Sequence, residues 1–281
     1  MPARGPVLGA LLAMSLSAAG VAGQDKAGPV DEAVAAYKAG RYKDAAALAE
    51  KAAAADPKDA RAAFIAGSAY AQLRDNAAAA KAFSVALERN PKLTEAHDRR
   101  GDAFLKLGLF KAAVADFDVF LAAEPKDAAD HWRRGIALYY VGRYDDGRKQ
   151  FDLHRTVNPE DVENSVWHYL CNAKATNLKK AREDLIPVTK DTRVPMKEVL
   201  QMFAGKTTPA DVLAAAEAGQ LGDEPRLSGR FYANLYVALF YEAEGNAAKT
   251  REYLEAAVDR YKIGDYMWDV GHAHLEMLKK K

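Results

Sequence analysis

A single cysteine, Cys171, occurs in 281 residues, so no disulfide can form within the chain. Its neighbours from Trp167 to Ala173 form a helical, mostly apolar stretch, where a lone cysteine reads as a small buried hydrophobe and not as a nucleophile. Net charge is also nearly absent. The 40 Lys and Arg against 39 Asp and Glu leave a formal charge of +1, which gives no global attraction for nucleic acid or for an acidic membrane surface. There is no Gly-rich phosphate loop, no Gly-x-Ser-x-Gly elbow and no His-Glu-x-x-His pair, so the common nucleotide, serine-hydrolase and zinc-protease chemistries lose their simplest support. No cofactor is expected.

What is present is alanine, in tracts such as Ala45 to Ala47 and Ala52 to Ala55. Alanine loses no side-chain entropy in a helix, which makes helix the expected state. Hydrophobic residues make up 49% of the chain and charged residues 28%, enough apolar material for a substantial core.

The first residues have a different character. Arg4 supplies a positive start, Val7 to Ala19 are mostly apolar, and Val21-Ala22-Gly23 places small residues before Gln24. This is the pattern of a secretory signal peptide over residues 1–23, cleaved after Gly23. The apolar run falls short of the roughly 20 residues needed to span a bilayer, so no stable membrane anchor is expected after cleavage. A bacterial lipobox would need cysteine where Gln24 stands, which excludes lipidation there. The expected location is periplasmic or secreted.

Prolines recur at Pro57, Pro91, Pro125 and Pro159, each 34 residues from the next and each preceded by Asp, Asn or Glu. A proline pushes the preceding residue out of the helical region, so each one closes a helix and marks a turn. Units starting at Lys26, Ala60, Thr94 and Ala128 align small residues at their eighth positions, Ala33, Gly67, Gly101 and Gly135. Small residues also fill the twentieth positions, Ala45, Ala79, Ala113 and Gly147. Larger residues recur at the eleventh, with Tyr70, Phe104 and Leu138, and at the twenty-fourth, with Phe83, Phe117 and Phe151. Between paired helices stand Gly40-Arg41-Tyr42, Gly108-Leu109-Phe110 and Gly142-Arg143-Tyr144, a helix-ending glycine followed by an aromatic that restarts the apolar face.

Over residues 26–159 this pattern resembles the tetratricopeptide repeat (TPR) family, including the pairs Arg100-Gly101 and Arg134-Gly135. The resemblance implies an all-α, right-handed α-solenoid of helix-turn-helix units. The second unit departs from it with Arg74 and Asn76 in the inter-helix turn, and the twenty-seventh positions carry Phe120 and His154 where alanine is usual.

After Pro159 the period decays. Asp161 to Lys180, with Trp167, Leu170 and Ala173, reads as the first helix of a fifth, degenerate unit, which completes a TPR segment over 24–186. Residues 187–230 read as an irregular helical insertion: Pro195 opens a helix stopping at Gly205, and Thr208-Pro209-Ala210-Asp211 looks like a capping box opening another that stops at Gly219. Residues 231–281 recover the pattern as a further unit through Ala238, Tyr241, Gly245, Leu254 and Ala257, followed by a capping helix with Met267, Val270, His274, Leu275 and Leu278. Phe231-Tyr232, Leu239-Phe240-Tyr241, Ala256-Ala257-Val258 and Leu275-Glu276 are similar to the C-terminal region of NlpI-type bacterial lipoproteins. That likeness implies a dimer-forming envelope adaptor that brings cell-wall hydrolases and a processing protease together.

Few residues suggest a reactive site. His272 and His274 are two apart and so point to different faces of a helix, unlike a paired metal site. His97 and His131 occupy the same repeat position and read as half-exposed contacts between units, while Asp145 and Asp146 suit a helix start. The TPR resemblance implies instead a concave surface lined by first helices. There it places Phe64 from the second unit, Arg99, Asp102 and Lys106 from the third, and Trp132, Arg133, Tyr139 and Tyr140 from the fourth, a mixed-charge groove with an aromatic end. Phe64, Ser68, Asp98 and Asp102 stand where the carboxylate-clamp subfamily carries its Lys and Asn, so capture of chaperone C-termini is not expected. The expected function is a non-catalytic adaptor for protein or peptide clients. The alternative is an assembly subunit that uses its convex face and C-terminal helix to oligomerise.

Overall fold

The computed structural model describes residues 28–218 and 222–280, and the signal-peptide expectation for residues 1–23 lies outside them. Among the described residues there is no strand, and the helices pack in tandem as an all-α solenoid. The described residues divide into two compact units, one up to Ala123 and one from Glu124.

The first unit holds three helical hairpins. They are formed by α1 (Pro29–Lys38) with α2 (Tyr42–Ala55), α3 (Ala60–Gln72) with α4 (Asn76–Arg89), and α5 (Thr94–Lys106) with α6 (Phe110–Ala123). Each helix packs on the next, and α3 also touches both α1 and α5, so the first helices of successive hairpins form one face. The turns inside the hairpins close by left-handed residues: Gly40 and Gly108 both have φ of 72°. In the first turn the Arg41 N–H donates back to the Ala36 carbonyl at 3.0 Å, satisfying a carbonyl that the helix end leaves open. Arg74 adopts φ of 60° at the same point of the second hairpin, and the Asp75 N–H closes the same bond to the Tyr70 carbonyl at 3.0 Å. The repeat geometry demands this conformation and imposes it on a residue that bears a Cβ.

The crossing of the two helices in a hairpin explains the periodic small residues. A Cβ built on Gly67 would lie 2.8 Å from the Phe83 ring, one on Gly101 2.7 Å from Phe117, and one on Gly135 2.6 Å from Phe151. Position eight is glycine because position twenty-four is phenylalanine. The first hairpin reverses both, with Ala33 and Ala49 wholly buried in one cluster. Arg100, beside Gly101, brackets the same crossing: Nε and Nη2 donate to Asp116 at 2.7 and 2.8 Å, and Nη1 donates to Ser84 at 3.1 Å. His97 Nδ1 lies 2.7 Å from the same Asp116 carboxylate, which gives this histidine a structural partner.

The second unit begins with a short 3-10 turn, Pro125–Ala128, followed by α7 (Trp132–Tyr140), α8 (Tyr144–His154), α9 (Val162–Ala175) and the six-residue α10 (Leu178–Glu183). Then come α11 (Met196–Phe203), α12 (Pro209–Glu217), α13 (Asp223–Ala243), α14 (Ala247–Glu255) with a π turn at Ala256–Arg260, and α15 (Tyr266–Lys279). Helix α9 is buried from Val162 to Asn172 and packs against α7, α8, α11 and α13. Cys171 lies on it with its thiol pushed up by burial, and Gly147 is small because a Cβ there would lie 2.8 Å from the Cys171 Sγ. The Thr208 capping box opens α12 as its sequence indicates. Helix α13 starts at Asp223, inside the segment expected to be an irregular insertion up to residue 230, and it tolerates Pro225 because that residue lies in its first turn, where the missing N–H has no helical acceptor to lose. His131 is 3% exposed, so this histidine is core and not the half-exposed contact expected for it.

Between α10 and α11 the chain is strapped to α9. Arg193 donates to Glu163, to Asp161 at 2.9 Å and to Asp191 at 2.6 Å, while Tyr236 from α13 donates to the other Glu163 oxygen at 2.7 Å. Burial raises the carboxyls of Asp161 and Glu163 above their usual range, with Arg193 opposing it. The bonds and charge of Arg193 outweigh burial at Asp191 and hold that carboxyl below its usual range.

Candidate protein-binding surface

In the first unit, the first helices carry a row of partly covered ion pairs. Arg61 reaches across from α3 to Asp31 of α1 at 2.9 Å, Arg99 pairs with Glu95 at 2.7 Å, and Lys106 pairs with Asp102 at 2.8 Å. The Arg99 and Lys106 side chains are 16% and 15% exposed, so they lie in a recess but remain reachable. Tyr37 is close enough to this row for Arg99 to temper the rise that burial imposes on its phenol. Phe64 does not belong to the surface. It is wholly buried, with its ring centroid 5.5 Å from Phe83, because this residue points into the hairpin crossing.

The aromatic stripe falls in the second unit and is largely used up within it. Trp132 is half-buried and its ring meets Tyr266 of α15 edge-on at 4.8 Å. Arg133 is half-buried beside it. Tyr139, expected in the groove, is 3% exposed and touches Tyr140, Tyr144 and Trp167. Tyr140 is half-buried against Trp167 and His274. Trp132 and Tyr140 lie two turns apart on α7, as do Tyr266 and His274 on α15, so the terminal helix runs alongside α7 and covers both ends of the stripe. Burial, and after it the Glu242 carboxylate, hold the phenols of Tyr139 and Tyr140 well above their ordinary range. Sequence reasoning missed Glu242 and placed His274 only as part of a capping stripe, since nothing local marks either as a neighbour of α7.

Among the described residues, no group of three or more His, Cys, Asp or Glu side chains is arranged to hold a metal ion, and no helix is long and apolar enough to cross a membrane.

Repeats with this geometry define a class. The tetratricopeptide repeat family model matches residues 30–93 and 99–161, so the chain carries tetratricopeptide repeats over those residues. Among solved structures it is similar to a tetratricopeptide repeat protein from Parabacteroides merdae ATCC 43184, with a TM-score of 0.58 and 14% identity over 89% of this chain and 97% of that one. It is also similar to MamA (41-end) from Desulfovibrio magneticus RS-1, with a TM-score of 0.50 and 22% identity over 55% of this chain and 88% of that one. At these identities the likeness is one of fold. No curated protein matches the chain in sequence. The likeness to NlpI-type proteins finds no support among these matches, and no enzymatic family is indicated.

Proposed function

We propose that the protein is an exported, non-catalytic scaffold that holds polypeptide clients on the inner faces of its helical repeats. The observation that carries this reading is the row of recessed but reachable charges on α3 and α5, Arg61, Arg99 and Lys106 with their acidic partners. Fixed charges of alternating sign in a recess select a partner by complementarity and speed its association. Export rests on the apolar run and small residues before Gln24. Cell-wall hydrolases or an envelope protease are the client class that the adaptor reading suggests. The assembly-subunit reading is weaker, because α15 spends Tyr266, Val270, His274 and Leu275 on contacts inside its own unit.

The test is affinity capture of clients from the native cell envelope, followed by binding of the captured client to variants. Arg99→Glu with Lys106→Glu is expected to weaken binding at least tenfold, about 1.4 kcal/mol, while Lys149→Ala on the outer helix α8 leaves it unchanged. If the doubly reversed protein melts like the wild type and binds the client equally well, the inner face of the first unit is not the docking surface.

A further inference from the structure

Helices α8 and α9 meet along a seam that encloses one histidine. His168, on α9, is 4% exposed, and its Nε2 lies 3.3 Å from Asp152 Oδ1 on α8, while Nδ1 is buried and has no hydrogen-bond partner among the described residues. A carboxylate can only accept, so the nitrogen facing Asp152 carries the ring hydrogen and Nδ1 keeps its lone pair. Arg148 of α8 donates to Oδ2 of the same carboxylate at 3.3 Å. Asp184, at the end of α10, is near enough to act on the ring and is itself held by Lys180 and Asn172, and Arg155 acts on it from the end of α8. Helices α7, α11 and α13 meet other faces of α9, where Tyr139 touches Trp167, Phe203 touches Tyr169 and Tyr236 bonds Glu163. One turn beyond His168, the Cys171 thiol is wholly buried against Gly147 of α8.

A second proton on this ring would go to Nδ1. There it makes a buried donor with no acceptor and places a charge where Arg148 and Arg155 repel it. Asp152 and Asp184 pull the other way, but the Asp152 side chain is 44% exposed and already paired with Arg148, so water screens it. Burial therefore wins, and the ring is held below its ordinary value in spite of both carboxylates. Once the seam opens, water supplies the missing acceptor and the ring regains its ordinary affinity for a proton. We infer that the α8–α9 seam is an acid-released latch, closed while His168 is neutral and opened when His168 takes a proton at Nδ1. A base whose folded value is lowered contributes stability that is full above its unfolded value of about 6.5 and is lost as pH falls below it, so the latch lets go in mild acid. It acts where the repeat period ends and is independent of which client the scaffold holds.

Cys171 reports the opening, because its thiol is covered by α8 while the seam is closed. The full-length protein is labelled with 4,4′-dithiodipyridine at about pH 7.5 and at about pH 5.5, and each rate is divided by that of the same protein unfolded in urea at the same pH, which gives the opening constant. A proton excluded from the closed seam raises this constant by up to about tenfold over that interval. The wild type is expected to show a rise of at least about threefold, and His168→Gln, which keeps a donor for Asp152 and cannot take a proton, is expected to lose most of it. If His168→Gln does not fold, the ring signals of His168 in the wild-type protein decide by nuclear magnetic resonance, with a titration midpoint expected below about 6.5. A rise under about threefold, a His168→Gln protein that keeps half of the rise or more, or a midpoint at or above about 6.5 overturns the inference.

Discussion

Replacing Gly101 by alanine tests the helix crossing most sharply. The new Cβ would lie 2.7 and 2.8 Å from Phe117 Cε1 and Cδ1 and 3.3 Å from the Ala113 carbonyl oxygen. Phe117 is wholly buried, so its ring has no solvent to swing into, and the Ala113 side of the contact is backbone. With neither side free to yield, the overpacking falls in the upper part of the usual range, about 2 to 3 kcal/mol. Removing a glycine from a helix interior returns about 1 kcal/mol, so the net loss is expected near 1 to 2 kcal/mol. The coupling is more diagnostic than the single value. Phe117→Leu alone costs roughly 1 to 2 kcal/mol, since it removes buried volume that a leucine only partly replaces. In the double variant the alanine methyl occupies space the ring has left, so the pair should be less destabilised than the sum by about 1 kcal/mol. The assay is denaturant unfolding followed by helical circular dichroism, comparing midpoints at constant slope. A neutral or stabilising Gly101→Ala, or strict additivity with Phe117→Leu, refutes the account of the crossing.

Arg74→Gly relieves a left-handed conformation that costs a Cβ-bearing residue about 1 to 2 kcal/mol, against a more flexible unfolded chain worth about 0.4 to 1, so unfolding should shift to higher denaturant by about 0.5 to 1 kcal/mol; a lower midpoint contradicts this. Arg193→Met leaves Asp161, Glu163 and Asp191 facing one another, and the loss is expected near 3 kcal/mol at neutral pH, the low end for a broken buried pair because Arg193 is 39% exposed. Removing the cation raises the folded-state values of Asp161 and Glu163 further above their usual range and takes away what holds Asp191 below its own, and both changes cost stability as pH rises through the ordinary carboxylate range. The deficit should therefore shrink as pH falls through that range, and a deficit independent of pH in thermal melts refutes the charge argument. Export with cleavage and without lipid predicts a mature protein beginning at Gln24, and intact-mass measurement that finds Met1 or a diacylglycerol-sized addition contradicts it.

The repeats were legible because their physics is local and periodic. A proline every 34 residues, a turn glycine, and a glycine set against a phenylalanine are each readable without knowing the rest of the fold. The pairing of Arg99 with Glu95 and of Lys106 with Asp102 follows from a spacing of four along a helix, which is equally local. Phe64 was misplaced because its side chain points into the crossing with Phe83 and not along the face. Tyr139 and Trp132 were misjudged for another reason: their covering groups, Trp167, Glu242, Tyr266 and His274, come from α9, α13 and α15, far along the sequence. Periodicity shows which side of a helix turns inward and says nothing about what returns to lie on it. The Arg193 strap was unreadable because it joins a segment without period to a helix thirty residues earlier.

The pairing of positions eight and twenty-four also governs how such a gene can be rearranged. Each pair, Ala33 with Ala49 or Gly67 with Phe83, lies inside one 34-residue stretch, so a whole stretch can be duplicated or deleted and carry its own fit with it. A crossover between the two positions breaks the fit in one direction or the other. Joining the front of the first stretch to the back of the second sets Ala33 against a phenylalanine ring with no room for its methyl, and the reciprocal product sets Gly67 against Ala49 and leaves a hollow. Recombination is therefore tolerated at the proline turns and penalised within a hairpin.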